Sequence, residues 1–276
     1  MLQNYLTLDI IILIFPLLFS FKWFFPYYKY YKPLFASILI VSGVYILWDV
    51  LVTARGDWWF NKTYLVGIEI AGLPIEEILF FIVVPYSCIF IYENLNYFFN
   101  DTKISFNKWV YYGLSTFLVI ASLLFYHQEY TVLALLSVVT FFIVASTWFS
   151  NLLQSRNYWI YIIISFGAFI IFNYLLTSIP VVLYNPEAIW GGTVDQIWEG
   201  RFITIPFEDF FYNYSMLSFY LLVYRYFKKR WIKQTKNIVW YPEINFSCEV
   251  NSGIFLTWKQ KSHWNLDTFL PVSSQL

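Results

Sequence analysis

Two short stretches gather the carboxylates that could do chemistry. "GLPIEEILFFIVVPY" (Gly72–Tyr86) and "TIPFEDFFYNY" (Thr204–Tyr214) share one pattern: proline, any residue, glutamate, a second acid, then aromatic residues. A carboxylate at membrane depth is expensive and points to function. Carboxyl groups crowded into a dry site lose solvation and repel each other's charge, so one of them keeps its proton at neutral pH. A neutral acid beside aromatic rings is a proton donor, and a neighbouring carboxylate can take a proton back. Glu76 and Glu208 are expected to carry the chemistry, because glutamate recurs two positions after proline in both stretches. Glu77 and Asp209 stand where the residue type varies and are expected to tune them or to accept the final proton. Phe80, Phe81, Phe210 and Phe211 follow directly and, with Trp48, are expected to contact an apolar substrate. Asp49 and Asn173 are candidate partners of the motif acids.

A plainer reading stands beside this one. Pro74 and Pro206 suit the first turn of a helix, where no backbone donor is lost. Acids in that turn complement the helix dipole for about 0.3–1 kcal/mol. Against it, the motif occurs twice, each copy holds two acids where the dipole needs one, and aromatic residues follow both. Neighbouring helix residues point about 100° apart, so one acid of each pair can face inward. Asp49 also reads as an interfacial anchor, Asn61 and Asn185 as loop caps, and Glu93 and Asn94 as solvated polar residues. Trp58, Trp59, Trp190 and Trp198 read first as an interfacial belt.

The elements that must position these residues are membrane spans. The 276 residues are 59% hydrophobic and only 12% charged, too little charge to cover a soluble domain. The net charge is zero, which leaves no basic field for nucleic acid. Two cysteines and two histidines suggest neither a disulfide framework nor a metal site. No G-x-G fingerprint is present, so no nucleotide cofactor is expected, and no metal or other cofactor either. The first apolar run follows no basic stretch and precedes no small-x-small pattern, so it reads as a span rather than a cleavable signal.

A helix needs about 20 apolar residues to cross the hydrocarbon, and seven segments qualify: Tyr5–Phe21, Pro33–Thr53, Pro74–Phe98, Lys108–Tyr126, Thr131–Ser150, Tyr158–Leu183 and Ile205–Phe227. Lysine and arginine distribute 3 to 12 between the two faces, with the excess opposite the N-terminus. The N-terminus is therefore expected outside and the C-terminus in the cytoplasm of a cell membrane. A shift of 124 residues lays Asp49–Thr53 over Asn173–Thr177, Phe60-Asn61 over Tyr184-Asn185 and Gly67 over Gly191. After an eight-residue insertion, Pro74–Glu77 meets Pro206–Asp209. The expected fold is an all-α integral membrane protein of seven transmembrane helices. It comprises two parallel three-helix repeats (1–100 and 131–236) and a connector helix (101–130) that lets both repeats face the same way. Residues 237–276 form a tail without a functional reading.

The paired "PIEE" and "PFED" motifs in repeated three-helix units resemble the integral-membrane lycopene cyclases, in the fused single-chain form. The flanks "WDVLVTARGDWWFN" and "FFIVVPYSCIFIYE" fit the same family, and the resemblance spans about Met1 to Lys229. It implies a non-redox isomerisation in carotenoid biosynthesis: an acid protonates the terminal double bond of lycopene, the neighbouring double bond closes a six-membered ring, and a base removes a ring proton. γ- or β-Carotene is the implied product, lycopene and its intermediates the implied partners, and the four motif acids the implied catalytic set. A proton-coupled carrier of a small apolar substrate is the alternative. A retinal protein would need a lysine in the last span, and Phe210–Tyr224 has none; a glutamate-type membrane protease would want arginine where Phe81 stands.

Overall fold

Lipid offers the backbone no hydrogen-bond partners, so each apolar run must satisfy its own and becomes a helix. The computed structural model describes residues 4–21, 25–190 and 200–232. The expected tail at 237–276, Trp198 and Gly191 lie outside the described residues. Among them are eight helices: α1 (Asn4–Phe19), α2 (Tyr31–Arg55), α3 (Ile75–Phe98), α4 (Lys108–Leu124), α5 (Glu129–Trp148), the short α6 (Ser150–Leu153), α7 (Arg156–Ser178) and α8 (Phe207–Trp231). Caps end them where the sequence changes. Gly56 takes a left-handed φ of 89° and returns its N–H to Val52 and Thr53, closing α2. Asn107 and Ser155 accept backbone N–H groups at the starts of α4 and α7.

Four helices are long and apolar enough to cross a membrane: Tyr27–Arg55, Ile75–Phe98, Glu129–Trp148 and Arg156–Ser178. α1 and α4 are apolar but shorter, with 16 and 17 residues. α8 has 25 residues, and its buried face carries Asn213, Ser215 and Ser218 beside several tyrosines. The seven expected segments all coincide with helices, but only these four meet both measures. One expected boundary moves: α7 stops at Ser178, and Val182–Tyr184 is a strand.

α1 packs on α3, α2 on α3 and α8, α5 on α4 and α8, and α7 on α3. Where the chain leaves α2 and α7, β1 (Trp58–Phe60) pairs antiparallel with β4 (Val182–Tyr184), Trp59 facing Leu183. These strands occupy equivalent places under the 124-residue shift, so the pairing is self-complementary about that central pair. Flanking bonds obey the same rule: Asn61 N–H donates to the Val181 carbonyl at 2.9 Å, and Asn185 N–H to the Asp57 carbonyl at 2.8 Å. Such reciprocity is the signature of a two-fold relation. Further on, β2 (Glu69–Ile70) with β3 (Leu73–Pro74) makes a hairpin matched by β5 (Arg201–Phe202) with β6 (Ile205–Pro206). Ala71 and Ile203 adopt left-handed φ of 54° and 59° in the two turns, a costly conformation for a branched residue such as isoleucine.

Two expectations change here. Pro74 precedes the first turn of α3, closing the hairpin from an extended conformation, while Glu76 and Glu77 occupy the turn itself. Pro206 ends β6 in the same way. Glu93 is not solvated: it is 2% exposed, and Lys228 donates to both its oxygens at 2.6 and 2.7 Å. An acid buried this deeply requires a partner, and α8 supplies it. Asn94 is half-buried and donates to the Phe90 carbonyl.

Candidate active site

The hairpins deliver both acid pairs to the same end of the bundle, and within each pair the two acids point different ways. Glu76 and Glu208 turn toward the loops. The Val66 N–H donates to Glu76 Oε1 at 2.5 Å, and the Trp190 N–H donates to Glu208 Oε1 at 2.6 Å. Val66 and Trp190 are themselves equivalent under the 124-residue shift. Thr131 adds a hydroxyl to Glu208 at 2.5 Å. In both glutamates the second oxygen, Oε2, is buried with no partner among the described residues.

Glu77 and Asp209 face the opposite way and line one chamber of about 70 Å³. Asp49 and Asn173 line it too, as do Tyr5, Trp58, Phe80, Tyr130, Phe169, Tyr184 and Tyr212. Of the four motif acids, Glu77 and Asp209 line this chamber, with Asp49 as the third acid on it. Glu208 borders a separate apolar cavity of about 120 Å³ with Phe211, between α4, α5 and α8.

The two chamber acids have unequal surroundings. Asp209 accepts three hydrogen bonds, from Tyr130 Oη, Asn173 Nδ2 and Tyr184 Oη, each at 2.7 Å. Arg201, 2% exposed, lies with its guanidinium 5.8 Å from the Tyr184 ring and acts electrostatically on Asp209. Burial and the Asp209 charge push the Tyr184 hydroxyl well above its ordinary pKa, so it stays a donor. Glu77 accepts from Tyr5 Oη at 2.5 Å. The residue that interacts with it in Asn173's place is an acid, Asp49, whose Oδ2 is buried without a partner among the described residues.

Of the aromatic residues expected at the substrate, Phe80 lines the chamber. Phe210 stands behind Phe169, with ring centroids 5.1 Å apart, and Trp48 behind Tyr212 at 5.1 Å. Phe81 is fully buried, and its carbonyl accepts from Ser42 and Tyr220. Trp58 leaves the expected belt: it is buried against Tyr130 at 4.7 Å, whereas Trp59 and Trp190 are about half exposed. Asn61 and Asn185 cap loops, accepting from the Thr63 and Glu187 N–H groups. Sequence reasoning passed over Tyr5, Tyr130, Tyr184 and Arg201. Among 24 tyrosines nothing marks these three, and Arg201 carries only the weak signal of a cation just ahead of a motif.

Residues 3–95 and 127–227 match the model of a protein family described as lycopene cyclase, each segment covering one of two repeats. α4 falls between the two matched segments. No curated protein and no solved structure matches the chain.

Proposed function

The chain belongs to the lycopene cyclase family, and we propose that it closes the linear ends of lycopene into β-ionone rings, with Glu77 giving a proton to the chain end and Asp209 taking one from the ring. A role of lycopene cyclase type in carotenoid biosynthesis follows from the family itself. The single observation that carries the chemical assignment is the unequal partnering of the two acids on one chamber.

An ionised carboxylate only accepts hydrogen bonds. Three donors and a nearby guanidinium suit Asp209 to the charged form, the base. Glu77 has one hydroxyl donor and an acid neighbour, and two adjacent carboxyl groups in a dry site share a proton. This makes Glu77, with Asp49 beside it, the donor. Glu77 protonates the terminal double bond, and the cation forms at the neighbouring carbon. The next double bond of the chain supplies its electron pair to close the ring and passes the positive charge on. Asp209 then takes a ring proton, and its electrons restore a double bond. Atoms and charge balance with no oxidant. Phe80, Phe169, Trp58 and Tyr212 flank the path of the cation, and a desolvated cation–π contact is worth about 2 kcal/mol.

The same proposal places both repeats (1–100 and 131–236) in parallel around a connector helix (101–130), with seven spans and the N-terminus outside. The decisive experiment is pigment analysis in a lycopene-making host. Glu77→Gln and Asp209→Asn should each cut cyclic carotenoid by about 100-fold, the scale of lost acid–base catalysis, with the protein still in the membrane. Near-normal conversion by both variants would remove the proposed mechanism, and no cyclic product from the unaltered chain would remove the function.

A further inference from the structure

A groove leaves the acid chamber along α3. From Glu77 its floor passes through Phe80, Val84, Ser87, Ile91, Asn94 and Phe98, successive steps of three and four residues that keep to one helix face. Three cavities overlap along this stripe. The chamber shares Phe80, Phe169 and Asn173 with a cavity of about 320 Å³. That cavity shares Phe15, Phe90 and Ile91 with a third of about 300 Å³ that ends at Phe99. α1 forms one wall through Ile12 and Phe15, and α7 the other through Ala168 and Ile164. Glu77 is buried, the residues between are half-buried apart from the buried Ser87, and Phe98 is exposed, so the groove is open at the end away from the acids. At 1.5 Å per residue the stripe is about 32 Å long, close to the thickness of the bilayer's hydrocarbon core.

The two-fold relation supplies a control within the molecule. The equivalent stripe on α8 starts at Asp209 and runs through Tyr212, Met216 and Phe219, between α5 and α2. There the protein fills its own space: Tyr212 packs on Tyr45 at 5.3 Å, Phe219 on Phe141 at 5.4 Å, and Met216 is fully buried. Among the described residues, the α3 groove is open and its α8 counterpart is filled.

We propose that the α3 groove holds the body of a long acyclic polyene hydrocarbon, with one end group in the chamber and the remainder lying along α3 toward Phe98. The assignment rests on the cyclase reading above. Its physical basis is the continuity of the groove with the acids, its apolar walls and its length. A single open groove takes one end of a symmetric substrate per binding event.

Ile164→Trp and Ile91→Trp place bulk in the groove beyond the chamber. The test compares purified wild type with each variant on lycopene and on a truncated acyclic polyene that keeps one intact end group, short enough to stop before Ile91. Wild type should cyclise both. The variants should lose lycopene conversion by at least tenfold, through a raised KM, and keep the truncated substrate within about threefold. Leu123→Trp, at an exposed site on α4, should change neither. Variants that convert lycopene normally, or that lose both substrates equally while folded, would overturn the groove assignment. A wild type inactive on both would overturn the cyclase reading instead.

Discussion

Asn173 donates to Asp209 at 2.7 Å from the position that an acid, Asp49, holds in the other half of the molecule. One half thus gives its chamber acid a neutral donor and the other gives it a second carboxyl group. The two repeats share a fold and differ here in the kind of side chain set beside the chamber acid.

Exchanging that residue should disable either half. Asn173→Asp removes a donor from Asp209 and sets a like charge beside it, so the base must hold a proton or meet repulsion. Asp49→Asn removes the carboxyl group that, on the proposed mechanism, shares a proton with Glu77. Each is expected to lower conversion of lycopene by about 10- to 100-fold, and Asn173→Asp should recover activity as pH is raised, because its added proton must be lost. A pH–rate series on the purified variants reads both effects.

Glu76 and Glu208 are expected to behave differently from Glu77 and Asp209. Glutamine at either place keeps the Oε1 that accepts the Val66 or Trp190 N–H. Glu76→Gln and Glu208→Gln should therefore retain conversion within about threefold, the cost of a perturbed neutral hydrogen bond of ~0.5 kcal/mol. A loss near 100-fold in both would return the chemistry to the acids that the motif singled out.

Periodicity and composition made the helices readable, because a run of apolar residues in lipid has one way to satisfy its backbone. The repeat was readable too: polar residues recur in register, and Asp49 and Asn173 do meet Glu77 and Asp209 at one chamber. Which acid of each pair turns inward was not readable. A difference of 100° around a helix is settled by the hairpins that launch α3 and α8, and two-residue strands leave no periodic pattern. Glu93 was misread for a related reason. Its partner Lys228 lies 135 positions away in a basic cluster that resembles an ordinary cytoplasmic helix end.

That ion pair gives a stability prediction. Glu93 is 2% exposed, and Lys228 also lies 4.3 Å from the Tyr30 ring. Removing one partner of a buried pair costs about 3–5 kcal/mol, because the other charge is left without compensation. Lys228→Met should lower the thermal midpoint in detergent strongly. The double variant Glu93→Gln/Lys228→Met should recover most of the loss. If the double variant is no more stable than the single one, the pair is not what holds α3 and α8 together at this end.

Asp9 is 2% exposed, lines the groove one helical turn from Tyr5, and has no hydrogen-bond partner on either oxygen among the described residues. A buried polar group left unsatisfied costs about 1–3 kcal/mol, and more if charged. Tyr5 and Tyr130 make the matching bonds to the two chamber acids, which sets Asp9 opposite the buried Ala134, so this fold accepts an apolar residue there. A residue that weakens the fold beside the chamber is expected to act in the reaction instead, as a further proton-holding group near Glu77. Asp9→Leu should raise the thermal midpoint and lower kcat by about tenfold with little change in KM, and Asp9→Asn should fall between the two. A stabilised Asp9→Leu variant with full activity would show that the acid takes no part in the chemistry, and a destabilised one would show that Asp9 has a partner that supports the fold.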